Sequence, residues 1–162
     1  MKKTEKRKSE LVEKLGIFFE KKEQMAPVAA RIFSYIILTG KQGTTFEDLV
    51  SNLCASKSTI STHLNHLQDL KKLSYFTKTG DRKKYFIINS DTMLQSISTM
   101  VEEWKSEREL HKEIKSYKEE ENKALEDENK FELGFHDSFI YFLDGAITSI
   151  NKLKETIINN KH

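Results

Sequence analysis

The stretch SKSTISTHLNHLQDLKKLSYFTKTGDRKK, Ser56 to Lys84, opens on small hydroxyl side chains and closes on three consecutive cations. Its first part has helical periodicity from Lys57 to Leu73. Ile60, Leu64 and Leu67 fall in one narrow arc, and Ser58, Ser61, Thr62, Asn65 and Asp69 fall on the opposite side. The inner arc is core and the outer one is open. Ser74–Lys78 and Lys84–Ile88 are β-branched or aromatic runs flanking a Gly-Asp turn, which predicts an antiparallel hairpin with Thr79 to Lys84 at its tip.

Upstream, Thr45 precedes Asp48 by three residues, close to a capping box, and Phe46, Leu49, Val50 and Leu53 outline a short amphipathic helix from Thr45 to Leu53. A turn around Cys54-Ala55-Ser56 joins it to the helix that follows. Before it, Val28, Ile32, Tyr35, Ile36 and Leu38 mark an apolar helix that starts at Pro27 and stops at Thr39-Gly40, with Gly40 as its C-cap. Lys2 to Lys22 forms an amphipathic helix whose stripe is Leu11, Leu15, Phe18 and Phe19.

Downstream, Asn89-Ser90-Asp91 is an N-cap cluster for a long helix. Leu94, Ile97, Val101 and Trp104 give it a firm stripe, which thins to Leu110, Ile114 and Tyr117 before the acidic run ending at Asn122. A last helical segment carries Phe131, Phe135, Phe139, Phe142, Leu143, Ile147, Ile150, Leu153 and Ile157. That stripe is too long and apolar to stay in water.

Composition bounds the functions. The 162 residues carry 32% charged and 37% hydrophobic side chains with one Pro, as a helical protein with few irregular loops does. No run approaches the roughly 18 apolar residues of a membrane span, and the Lys-rich start lacks the apolar core of a secretory signal. A single cysteine, Cys54, excludes an internal disulfide, so a cytoplasmic location is expected. The net charge of +2 is unremarkable, but its distribution is not. Residues 41–90 hold eight Lys or Arg against four Asp or Glu, whereas residues 91–135 hold seven against thirteen. One part suits phosphate and the other repels it.

Two short helices across a tight turn, the second presenting its N-terminal side chains, suit duplex DNA. Ser58, Ser61 and Thr62 can exchange hydrogen bonds with several base edges, Asn65 can pair bidentately with adenine, and Lys57 can reach guanine or phosphate. The same pattern also fits an ordinary amphipathic helix with solvated hydroxyls. Arg82, Lys83 and Lys84 fit a wing, with Arg82 at a minor groove and both lysines on phosphate, but equally a lysine-guarded edge strand.

The segments Ser56–Leu64, Leu67–Leu73 and Gly80-Asp81-Arg82-Lys83-Lys84-Tyr85-Phe86 together resemble the MarR superfamily, and within it the GbsR-like transcriptional regulators. The likeness extends over most of the chain. It implies a winged helix-turn-helix fold and a homodimeric repressor or activator, with terminal helices at the dimer contact and recognition helices in successive major grooves. One departure lies at Leu70-Lys71-Lys72-Leu73-Ser74, where such proteins often carry Leu-Gly before the first wing strand.

The expectation is therefore a mainly α chain with a small β-hairpin, of the α+β class: residues 1–24 an N-terminal dimerisation helix, 25–90 a winged helix-turn-helix DNA-binding domain, 91–162 a C-terminal helical dimerisation region. The predicted function is a repressor that binds a pseudo-palindromic operator as a homodimer. The alternative is a helical protein-interaction adaptor on the same scaffold. Folding back of the terminal helices as a monomer is the alternative to the dimer. The resemblance leaves room for a small-molecule effector: some GbsR-like proteins are similar to sensors of choline or glycine betaine. Tyr35, Trp104, Tyr117, Tyr141 and Phe142 could cage a quaternary ammonium, or simply be core. His63 and His66 share a helix face without further ligands, His111 and His136 read as solitary, and Cys54 reads as a small hydrophobe on a helix. No metal, cofactor or catalytic constellation is expected.

Overall fold

The computed structural model describes residues 3–160, so Met1, Lys2, Lys161 and His162 lie outside the described residues. The chain is mostly helical with one two-stranded antiparallel sheet, in agreement with the α+β class. It divides into two compact units between Thr92 and Met93.

The first unit is built on α2 (Pro27–Thr39), which begins with Pro27 where a missing N–H costs nothing. Ala29, Ala30, Ile32, Phe33 and Ile36 of this helix are all buried. On it pack α3 (Phe46–Asn52) and α4 (Lys57–Asp69), which contribute Leu49, Ile60, Leu64 and Leu67 to the same core. Each such buried side chain stabilises the fold by about 1.5–3 kcal/mol. The hairpin of β1 (Leu73–Thr77) and β2 (Lys84–Ile88) adds Leu73 and Phe86, with Tyr75 opposite Phe86 and Thr77 opposite Lys84.

Helix α1 (Lys3–Glu23) lies on α2. Its buried positions are Val12 and Gly16, and Phe19 packs edge-on against Phe33 at 5.0 Å. Leu11 and Phe18 of the predicted stripe are exposed. The reason for the rotation is Arg31. Its guanidinium reaches Glu13, at 3.1 Å, and Glu20 across the helix pair, and its stem lies against Gly16, where there is no Cβ to obstruct it.

Two local features depart from the sequence reading. Thr44 forms a one-residue bridge to Phe86, with both N–H···O contacts at 2.9 Å, so the hairpin has a third, minimal partner. Gly43 makes that approach possible: its φ is +76°, and a Cβ there would lie 2.7 Å from Tyr85 Cβ. The other departure is at the end of α4, which stops at Asp69 and not at Leu73. Lys71 takes φ +57°, its N–H donates to the Gln68 carbonyl at 2.8 Å, and the Lys72 N–H donates to Leu67 at 3.0 Å. This is a Schellman ending with lysine in the left-handed position usually held by glycine. It frees Leu73 to enter the core from β1.

The second unit holds most of α5 (Ser90–Asn122) and α6 (Gly134–Asn159). On α5 the buried face runs through Ile97 and Val101 to half-buried Trp104, Arg108, His111, Lys115 and Lys118, a 3,4 spacing. Leu110 and Tyr117, expected in the seam, are exposed. On α6 the inward residues are His136, Ile140, Leu143 and Ile147. Arg108 pairs with Asp144 at 2.8 Å and Lys115 with Asp137 at 2.7 Å across the two helices. Between them, Asn122 closes the connection by a two-point bond to the Phe131 backbone, at 3.0 and 2.7 Å. Phe131 thus lies ahead of α6, not in it. Among the described residues no helix is long and apolar enough to cross a membrane.

Candidate nucleic-acid interface

The two short helices α3 and α4 are each started by a hydroxyl. Thr45 Oγ1 accepts the Asp48 N–H at 3.1 Å, and Asp48 Oδ2 accepts the Thr45 N–H at 2.9 Å, a complete reciprocal cap. Ser56 Oγ accepts the Thr59 N–H at 3.2 Å and lies 2.7 Å from Thr59 Oγ1 and 3.1 Å from Ser58 Oγ. The intervening turn is closed by the Ala55 N–H on the Leu53 carbonyl at 2.8 Å. No carboxylate stands in the first turn of α4. Its positive helix end, together with Lys57, is therefore not neutralised from within.

The outer face of α4 is where the sequence put it. Lys57, Ser58, Thr62 and Asn65 are exposed and Ser61 is half-buried, while Ile60, Leu64 and Leu67 point inward. The Thr62 hydroxyl donates to the Ser58 carbonyl at 2.9 Å. What Thr62 presents outward is consequently an acceptor oxygen and a methyl group. Asn65 Oδ1 lies 3.4 Å from Gln68 Nε2. His63 is half-buried and His66 exposed. Among the described residues no group of three or more His, Cys, Asp or Glu is placed to hold a metal ion.

The hairpin tip is held by a carboxylate. The Asp81 N–H donates to the Lys78 carbonyl at 2.9 Å, with Gly80 at φ +80° as the third residue of that turn. Asp81 Oδ1 accepts the Lys83 N–H at 2.9 Å, and Oδ2 accepts the Tyr85 hydroxyl at 2.7 Å. The Tyr85 hydroxyl and then the Lys83 N–H hold the Asp81 carboxyl below its ordinary value; the same bond to Asp81 raises the Tyr85 phenol. Arg82 and Lys83 are exposed on this turn. Lys84 begins β2, its ammonium 4.3 Å above the Tyr75 ring, and Lys78 lies 3.9 Å above Tyr85, which itself stacks on Phe76. The sequence reading missed Asp81, Tyr85, Tyr75 and Lys78 as organisers of the tip. The Asp-x-Lys spacing of an Asx turn was the available signal.

Two further expectations are corrected by the structure. Cys54 is exposed in the turn after α3 and not packed on a helix. His111 and His136 are not solitary: their Nδ1 atoms are 2.9 Å apart. The rings named as candidates for a quaternary-ammonium cage differ in their surroundings within each unit. Tyr117, Tyr141 and Phe142 are 61%, 83% and 60% exposed, and the Tyr35 ring is covered by the Lys8 ammonium at 3.9 Å. Tyr35 also lines an open groove of about 1010 Å³ in the first unit, with Lys8, Arg31, Val28 and Cys54.

No family model matches the chain, and no curated protein matches it. A solved structure described as the crystal structure of a transcriptional regulator is similar over 94% of this chain and 99% of its own, at 18% identity and a TM-score of 0.49.

Proposed function

We infer that the chain is a DNA-binding transcriptional regulator, a repressor in the MarR superfamily and its GbsR-like branch, acting in the cytoplasm. One observation carries the reading. The small polar face of α4 and the cationic turn at Arg82 and Lys83 are both exposed on a single compact unit, built on the shared core of Ile60, Leu67, Leu73 and Phe86. In this reading α3 and α4 are a helix-turn-helix and β1–β2 is its wing. Ser58, Ser61, Thr62 and Asn65 meet base edges in the major groove, and Lys57 meets guanine or phosphate. Arg82 lies at the minor groove, with Lys83 and Lys84 on phosphate. Contacts to base edges select sequence, and contacts to phosphate hold any sequence.

The active species is a homodimer on a pseudo-palindromic site. Support comes from apolar side chains that each unit leaves in water: Phe135, Phe142 and Leu153 along α6, and Leu11, Ile17 and Phe18 on α1. Exposed surface of that kind marks protein interfaces.

A band-shift against random duplex over a salt series tests the function. A DNA-binding protein loses affinity linearly in log salt through counterion release, and a protein-interaction adaptor shows little affinity and no slope.

A further inference from the structure

Outside the DNA reading, and independent of it, the second unit contains an imidazole pair in which His136 is buried and His111 half-buried. His136 stands in the first turn of α6 with 5% of its surface exposed. Its Nδ1 is 2.9 Å from His111 Nδ1, and its Nε2 is 3.0 Å from the Lys118 ammonium. The His111 ring packs against Phe139 at 4.6 Å and Phe135 at 5.9 Å.

These contacts fix where the protons are. An ammonium has three donors and no acceptor, so His136 Nε2 accepts from Lys118 and the ring proton sits on Nδ1. That N–H donates to His111 Nδ1, which leaves His111 protonated at Nε2. Both rings are neutral in this arrangement, and neither has room for another proton. On His136 the added proton would sit at Nε2, setting an N–H and a positive charge against Lys118. On His111 it would sit at Nδ1, facing the His136 N–H. His136 could yield only by changing tautomer, which passes the conflict on to Lys118.

Among the charges around the pair, Lys118 and Lys115 disfavour a further proton on His136 and Asp137 favours it. From α5 come Lys115 and Lys118; from α6 comes Asp137, whose carboxylate is 2.7 Å from the Lys115 ammonium. Glu119 also engages Lys115, at 3.4 Å. Burial first, and then Lys118 and His111, hold the His136 imidazole below its ordinary value.

The geometry points to a proton-sensitive latch between α5 and the first turns of α6, closed while His136 is neutral and released when it takes up a proton. The sign follows from the unfolded chain, which binds the proton more readily. The stabilisation is complete above the ordinary histidine value. It is lost as pH falls below that value, until the folded value is reached. Release loosens the α6 turns that carry Phe135 and Phe139.

The test is an imidazole NMR titration of the whole chain. It is paired with amide hydrogen exchange of residues 136–143 at about pH 5 and about pH 7.5, corrected for intrinsic rates. His136 is expected to titrate below an unperturbed histidine, and exchange in those turns is expected to quicken about tenfold per pH unit across the interval between the two values. Lys118→Met should move the His136 midpoint upward, and His136→Gln, which keeps a neutral donor and acceptor, should abolish the pH dependence of exchange. A His136 midpoint at or above that of free histidine overturns the latch. So does an unmoved midpoint in Lys118→Met, or a pH dependence that persists in His136→Gln.

Discussion

The Asp81 carboxylate accepts the Tyr85 hydroxyl at 2.7 Å, and with it the turn that projects Arg82 acquires a fixed shape. Asp81→Ala should remove that brace along with the bond to the Lys83 N–H. Because both bonds lie in a surface turn with Asp81 only half-buried, thermal stability should move little. DNA affinity should fall several-fold on every sequence alike, as loss of a pre-organised contact does. Band-shifts on two unrelated duplexes, beside a thermal melt, check both halves. The carboxyl is held below its ordinary value of 3.8, so the brace is complete above that pH and is lost as pH falls to the folded value.

Lys71 occupies a left-handed position at φ +57°. Lys71→Gly should stabilise the first unit by about 0.5–1 kcal/mol, because glycine adopts that conformation without a Cβ clash. Urea unfolding reads this directly, and an unchanged or lower midpoint would count against the Schellman ending described for α4.

Gly43 is the opposite case. Gly43→Ala combines a positive φ with a Cβ placed 2.7 Å from that of Tyr85, and should cost about 2 kcal/mol or more. Part of that cost should appear as faster exchange of the Thr44 and Phe86 amides, which bond each other's carbonyls.

Thr62 and Asn65 divide from Arg82 by the kind of effect they have. Arg82→Ala should weaken binding on all sequences and lower the salt slope by about 1. Asn65→Ala should relax preference at one base position by about 1–3 kcal/mol. Thr62→Val keeps the methyl group and removes the acceptor oxygen. It should therefore tolerate a thymine contact and lose a hydrogen-bonded one. Binding to a panel of single-base variants separates these outcomes.

What the sequence disclosed depended on periodicity. Ile60, Leu64 and Leu67 recur at helical spacing, and Tyr75, Phe76, Tyr85 and Phe86 belong to β-rich runs, so α4 and the hairpin could be read from their own residues. Thr44 could not, because a one-residue bridge has no period. The end of α4 was concealed because Lys71 does a glycine's work. On α1 the stripe was visible, but its rotation was set by Arg31, a partner some distance along the chain. His111 and His136, separated by 25 positions, meet only because α5 and α6 run side by side there. The polar face of α4 was legible residue by residue. The backward bond of Thr62 and the rings beneath Lys78 and Lys84 were not, since they depend on side-chain rotamers and strand register.

The most direct test of the account is selection of bound sequences by the wild-type chain from a random duplex pool. The account predicts an enriched, two-fold symmetric motif whose half-sites lie about one helical turn, roughly 10 bp, apart. A pool that returns no enriched sequence at physiological salt would contradict it.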